Sequence, residues 1–189
     1  MPRPICPTCI RPVAVCYCDS LVSIANHIKV LIIQHPLEEK HPFNTGRMAQ
    51  LCLNNSELMI AETLTESKLD CILSKRSVLL YPSLEWMSES QIIKRPDDGF
   101  EQLIVIDANW RKSKKMLHLH PELQQLPRVS LTGNLPSNYQ IRSTKIANAL
   151  STVESIVIAM QVLEPQHDFQ PLLLPFNRMI EIHLSNKEK

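Results

Sequence analysis

The chain has 189 residues, 44% hydrophobic and 21% charged, the composition of one globular domain and not of a disordered segment. Twenty basic residues against nineteen acidic ones leave a formal net charge of +1, so a nucleic-acid partner has to be met by a local patch and not by a global field. Only three glycines are present, Gly46, Gly99 and Gly133, which excludes the clustered glycines of dinucleotide loops and Walker loops.

The chain opens on a cysteine array. Cys6, Cys9, Cys16 and Cys18 have the spacing C-x2-C-x6-C-x-C. Four thiolates close a tetrahedral zinc site of the structural kind, with no coordination position left for chemistry. Pro4, Pro7 and Pro12 stiffen the loop between ligands. The alternative is four reduced thiols buried in a core, which fits poorly with so polar and proline-rich a flank. Cys52 and Cys71 read as small core residues. By composition, a head over residues 1–26 separates from a body over 27–189. No apolar run reaches the roughly 20 residues of a membrane span, and the first residues lack a signal-peptide core. The expectation is a cytoplasmic protein with no membrane partner and its thiols kept reduced.

The body alternates strand and helix patterns. Strands are predicted over Ile28–Gln34, Leu58–Glu62, Val78–Tyr81 and Leu103–Asp107, with a weaker one over Arg128–Leu131. Thr45 is expected to cap a helix over Arg47–Leu53. A helix over Trp110–Leu119 places Trp110, Ser113 and Leu117 on one inward face. The longest helix, Thr152–Leu163, carries Val153, Ile156, Val157, Met160 and Leu163 on one stripe, and a last one covers Phe176–Leu184. Alternation of this kind predicts an α/β fold with a mainly parallel sheet, whose ligands gather at the carboxyl ends of strands.

Polar clusters follow three of these strands: His35-Pro36-Leu37-Glu38 with Asn44-Thr45-Gly46-Arg47, Pro82-Ser83, and Asp107-Ala108-Asn109-Trp110. Each also has a purely structural reading, as a proline turn, a helix cap or a dipole-stabilising acid. Ser151-Thr152-Val153-Glu154 fits a capping box that needs no function. Arg111, Lys112, Lys114 and Lys115 are either a solvated face or a field for phosphates.

Taken together these segments resemble the DTW-domain family of tRNA-uridine aminocarboxypropyltransferases. Asp107-Ala108-Asn109-Trp110 is similar to the family's signature. The leading cysteines, the H-P-x-E turn at His35–Glu38 and the N-T-G-R element at Asn44–Arg47 are similar to its other motifs. Leu126–Leu131, Tyr139–Arg142 and Leu150–Glu154 follow in the family's order. One departure stands out: Asn109 occupies the place of the family's usual threonine.

The resemblance implies a SPOUT-like knotted domain that uses S-adenosylmethionine. Its activity would be transfer of the 3-amino-3-carboxypropyl group to N3 of a tRNA uridine, with release of 5′-methylthioadenosine. Asp107 is expected to take the N3 proton. Thr45, Pro82, Ser83, Leu150, Ser151 and Thr152 are expected at the cofactor. His35, Glu38, Asn44, Arg47, Asn109, Trp110, Arg142 and Glu154 are expected as substrate or motif residues. Arg47 or Arg142 would hold the cofactor carboxylate or an RNA phosphate. Arg111, Lys112, Lys114 and Lys115 would bind RNA, with tRNA and not DNA as the partner. Two other functions fit the same residues: a methyltransferase of the same fold class, and a non-catalytic zinc-containing RNA-binding module for which Asn109 is the best support.

Overall fold

A computed structural model describes residues 3–83, 85, 92–93, 99–131 and 150–187. Its described strands are β1 (Lys29–Gln34), β2 (Ser56–Ile60), β3 (Ser77–Leu80), β4 (Gln102–Asp107) and β5 (Arg128–Val129). The helices are α1 (Thr45–Cys52), α2 (Glu66–Leu73), α3 (Trp110–Leu119), α4 (Pro121–Gln124), α5 (Thr152–Leu163) and α6 (Leu174–Lys187). All strand pairs are parallel, in the order β2-β1-β4-β3-β5. The predicted α/β architecture is therefore observed. None of the described helices is long and apolar enough to cross a membrane.

The pleat sorts the strand residues between two cores. Val30, Ile32, Val78, Leu80, Leu103, Val105 and Val129 face one side, where Met48 of α1, the Val153–Leu163 stripe of α5 and Phe176 and Met179 of α6 cover them. Leu31, Ile33, Leu79, Tyr81 and Ile104 face the other, against Leu69 and Ile72 of α2, Met116 and Leu117 of α3 and Leu123 of α4. Burial on both faces explains why the central strands are continuous β-branched and leucine runs, with no polar alternation. All five residues of the α5 stripe are buried as its period requires.

Several sequence expectations are corrected. Asn44, not Thr45, caps α1: its Oδ1 accepts from the Arg47 N–H at 2.9 Å, and Thr45 is the first helical residue. The second strand begins at Ser56 and ends at Ile60, earlier than expected. Helix α2 was not anticipated, and it overturns the assignment of Cys71 to the core. Leu69 and Ile72 turn toward the sheet, which carries Cys71 to the solvent side, where it is exposed; Cys52 is buried as expected. Trp110 does not join the inward face of α3. That face is Ser113, Met116 and Leu117, while Trp110 at the first position of the helix is 48% exposed.

The cysteine head is packed onto the body. Cys9 and Tyr17 are buried in the same core as Cys52, Met48 and Met179, and the guanidinium of Arg11 lies 5.5 Å from the Tyr17 ring centroid. The head's exit is fixed by Glu164 at the end of α5. Its buried carboxylate accepts from the Ile28 N–H at 2.6 Å and the His27 N–H at 3.0 Å. Removing such an acceptor strands two backbone donors, each costing about 1–3 kcal/mol. This one contact joins the start of β1 to a residue more than a hundred positions away.

Candidate functional site at the carboxyl ends of the central strands

β1 and β4 are neighbours, and their outgoing connections diverge: β1 leads through α1 to β2 on one side, β4 through α3 and α4 to β5 on the other. Such a switch point leaves a crevice beyond the strand ends. The register pairs Gln34 with Asp107 there, the last residue of each strand. Both side chains fall on the α1 and α5 side.

Gln34 at the end of β1 and Thr152 of α5 both donate to Asp107. Gln34 Nε2 donates to its Oδ2 at 2.7 Å, and Thr152 Oγ1, in the first turn of α5, donates to its Oδ1 at 2.5 Å. The same Gln34 amide pairs with Asn44, donating to Oδ1 at 2.7 Å and accepting from Nδ2 at 3.2 Å. Gly46 explains how α1 comes so close. A Cβ built on it would lie 2.4 Å from Asp107 Oδ2 and 3.0 Å from Cγ, so no side chain is tolerated without displacing the carboxylate. The amino ends of α1 and α5 thus both point at Asp107, and helix amino ends favour negative charge.

The other side of the sheet carries a charged rim. His35 Nδ1 accepts from the Leu37 N–H at 3.1 Å, which assigns the ring proton to Nε2, 3.6 Å from Glu62. Glu62 pairs with Lys115 at 2.7 Å, and Glu38 with Lys112 at 3.0 Å. Lys115, with His35 adding to it, holds the Glu62 carboxyl below its ordinary range. Half the cation run of α3 is therefore matched by acids from other elements. Arg111 and Lys114 have no ion-pair partner among the described residues. Asn109 caps α3, its Oδ1 accepting from the Lys112 N–H at 3.0 Å. Threonine caps helices in the same way, so the departure from the family's motif preserves this local role. Trp110 stands edge-on to Tyr81, ring centroids 5.8 Å apart.

Other expected residues separate. Pro82 and Ser83 form an exposed turn after β3, joined to the end of β5 by a long bond in which the Ser83 N–H donates to Ser130 Oγ at 3.4 Å. Ser151 and Glu154 close a full capping box: the Ser151 N–H and hydroxyl donate to Glu154 Oε2 at 2.8 and 2.7 Å. Leu150 is half-buried beside them. Arg47 donates from Nε to the carbonyl of Thr8, between Cys6 and Cys9, at 3.1 Å, and so ties α1 to the head. Arg142 and the Tyr139–Arg142 element lie outside the described residues. Gln34, Glu62 and Tyr81 were not anticipated as site residues, and Gly46 only as a member of the Asn44–Arg47 element. Gln34 had a signal, a buried amide closing an otherwise apolar strand.

The four head cysteines converge. Their sulfur atoms all lie within 4.8 Å of one another, with Cys6–Cys18 and Cys9–Cys16 each 3.7 Å apart. A tetrahedral centre with metal–sulfur bonds of roughly 2.3 Å sets its sulfurs roughly 3.8 Å apart, so the array fits a metal. The backbone amides of Cys9 and Thr8 pull the Cys6 thiol down to about 6, toward the thiolate a metal needs, while burial pushes Cys9 and Cys18 up. Ile10, directly after the first pair, has φ 59°. A β-branched residue holds that conformation only where its surroundings impose it.

Comparison with known proteins gives a consistent result. Residues 3–184, the cysteine array included, match the family model described as DTW domain. The chain is 30% identical over 191 residues to tRNA-uridine aminocarboxypropyltransferase 2 of Drosophila melanogaster, covering 96% of this chain and 75% of the fly protein. It is 29% identical to the Macaca fascicularis protein of the same name, covering 91% of this chain and 60% of the other. It is 26% identical to tRNA-uridine aminocarboxypropyltransferase A of Arabidopsis thaliana over 61% of this chain and 50% of that protein. No solved structure matches.

The Gly46 contact makes a prediction. Alanine normally stabilises a helix by about 1 kcal/mol relative to glycine. Here Gly46→Ala should instead destabilise by about 1–3 kcal/mol, through overpacking against the carboxylate. In an Asp107→Ala background the same change should become neutral or stabilising, measured by urea denaturation of the double-mutant cycle.

Proposed function

The chain belongs to the DTW-domain family, and we propose that it is an S-adenosylmethionine-dependent transferase moving the 3-amino-3-carboxypropyl group to N3 of a tRNA uridine. The observation that carries this reading is the meeting of three separate motif segments on one carboxylate: Asn44 and Gly46, Asp107, and Thr152. The relatives' names and the family match support it. A SPOUT-like knotted connection, a head over 1–26 serving a catalytic body over 27–189, and a cytoplasmic location belong to the same proposal.

Bound S-adenosylmethionine supplies an aminocarboxypropyl chain activated by its sulfonium, with 5′-methylthioadenosine as by-product. Thr45, Pro82, Ser83, Leu150, Ser151 and Thr152 are the residues proposed to hold it. Their chemistry suits it: the exposed Pro82–Ser83 turn and half-buried Leu150 offer apolar surface, and Ser83 and Thr152 offer hydroxyls. The chain's own part is orientation and proton removal. Gln34 and Thr152 fix the plane of Asp107, which takes the uridine N3 proton and leaves an anionic nucleophile. Trp110 offers an exposed ring for a base, and Arg111 and Lys114 offer charge to phosphates. Lys112 and Lys115 lie on the same helix but share their charge with Glu38 and Glu62. His35, Glu38 and Asn109 position this helix. Zinc is proposed for Cys6, Cys9, Cys16 and Cys18. Arg47, engaged with Thr8, supports the head's docking.

The decisive experiment incubates the protein with tRNA and S-adenosylmethionine and weighs the nucleosides. The expected product is aminocarboxypropyl-uridine, with methylthioadenosine released. A methylated nucleoside with S-adenosylhomocysteine would make it a methyltransferase, and tRNA binding without cofactor affinity a binding module. Asp107→Asn should keep the fold, since an amide retains one acceptor for Gln34 or Thr152, and should slow transfer roughly a hundred- to ten-thousand-fold at unchanged cofactor affinity. Activity within a few-fold of the parent would assign Asp107 a positioning role only. Metal analysis of protein purified without chelator should find about one zinc per chain. Cys9→Ser should lose it.

A further inference from the structure

The cysteine array is not the only place where metal-ligating side chains meet. Among the described residues one other such cluster exists, formed by His27, Glu164 and His167, and the reading above gives it no chemistry. One ligand atom from each lies within 4.8 Å of the others. The three come together because α5 ends where the head joins β1. Glu164 directly follows α5, and the His167 N–H donates to its carbonyl at 3.0 Å, a turn that returns the imidazole to the carboxylate. His27 stands just before β1 on the other side. The two rings lie 5.0 Å apart between centroids, and fully buried Phe169 backs the His167 ring edge-on at 6.2 Å.

The buried carboxylate divides its oxygens between two tasks. Oε1 accepts from the Ile28 and His27 N–H groups at 2.6 and 3.0 Å. Oε2 takes only a longer 3.2 Å bond from the His27 N–H and faces both imidazoles, 2.9 Å from Nδ1 of His167 and 3.6 Å from Nδ1 of His27. The nearer contact is not a hydrogen bond, for His167 Nδ1 is buried without a hydrogen-bond partner. A ring nitrogen this close to a carboxylate oxygen, yet out of line with it, has the geometry of two ligands on one ion. The ion then lies on the nitrogen's lone-pair axis, with the oxygen to its side. Bonds of roughly 2.1 Å set ligand atoms roughly 3.0 Å apart at a right angle and roughly 3.4 Å apart at the tetrahedral angle. The two separations lie close to these values.

We propose that His27, Glu164 and His167 bind a divalent transition-metal ion of the zinc class, distinct from the ion proposed for the cysteines. The ion pins the head's exit to the end of α5. Two imidazoles and one carboxylate suit zinc and select against calcium and magnesium, which take oxygen ligands. His27 is exposed, so the remaining coordination falls to water. The site is remote from the transfer chemistry. It lies before the amino end of β1, whereas Asp107 pairs with Gln34 at the carboxyl end of that six-residue strand, about 20 Å away. Its effect is on stability: Glu164 already holds the backbone at this junction, and the ion adds a side chain from each flank. A ligand that requires both flanks assembled stabilises the folded state by mass action.

The test titrates Zn2+ into protein purified without chelator, its metal content measured first, and follows uptake by calorimetry and the melting temperature. Added Zn2+ should fill one further site per chain in the parent and in His118→Gln, a control on α3, and should raise the Tm of both. His27→Gln and His167→Gln should each weaken that site by at least about tenfold, since even outer-shell changes cost as much, and should lose the rise. If the cysteines arrive unloaded, the parent takes up one ion more than either variant, and the difference still decides. No further uptake by the parent, or uptake that survives both substitutions, would leave only a histidine–carboxylate contact and overturn the assignment. Uptake lost in one variant alone would mean a single surface imidazole and overturn it equally. Should His167→Gln not fold, the ring resonances of His27 and His167 in the parent must both shift on adding Zn2+; a shift of His27 alone overturns the site.

Discussion

A single carboxylate set against a bare backbone organises this molecule. Asp107 ends the central strand β4 and touches the one position of α1 that carries no side chain, while the first turn of α5 donates to it from the other flank. Two helices that cover the same face of the sheet are thereby aimed, amino end first, at one anion. Their positions are not independent. Moving either helix opens a gap at Asp107 or drives backbone into it, and interiors packed at crystal-like density transmit such shifts. The cap at Asn44 and the amide of Gln34 serve the same contact from the third side.

The two faces of the sheet divide the work. On the α1 and α5 side the groups around Asp107, those of Gln34, Asn44 and Thr152, are uncharged and bonded to it or to one another. On the α3 side the rim is a chain of ion pairs from Glu38 and Glu62 to the basic helix. Partly exposed pairs of this kind contribute little to stability. Their effect is on geometry, since they fix how α3 presents Trp110 and how much positive charge is left over. A near-neutral chain thus keeps a small cationic surface without a large field.

The sequence was most informative where burial was complete. The central strands, the α5 stripe and the cysteine array follow from period, β-branching and spacing, none of which depends on distant partners. The site was legible only as positions. Asp107 is visible as an acid after a strand, but its contact with Gly46 joins residues on different elements, and no local pattern encodes it. Thr45 was mistaken for the cap because Asn44 and Thr45 are both good caps and adjacent. Trp110 and Cys71 were misplaced for a common reason: an apolar or small residue at a helix start or on a short helix has no period long enough to fix its face. The cation run looked unopposed because its partners, Glu38 and Glu62, come from loops after other strands.

The head also sets an order of assembly. Its cysteines are made first, yet the surfaces that bury Cys9 and Tyr17 include Met179 of α6, and Glu164, which anchors the His27–Ile28 backbone, lies 136 residues beyond Ile28. During synthesis the four thiols therefore emerge long before anything exists to shelter them. Contacts of such sequence separation form late. A metal that closes the array early would keep the thiols from cross-reacting throughout that interval and deliver a preformed knob for α1 and α6 to close upon.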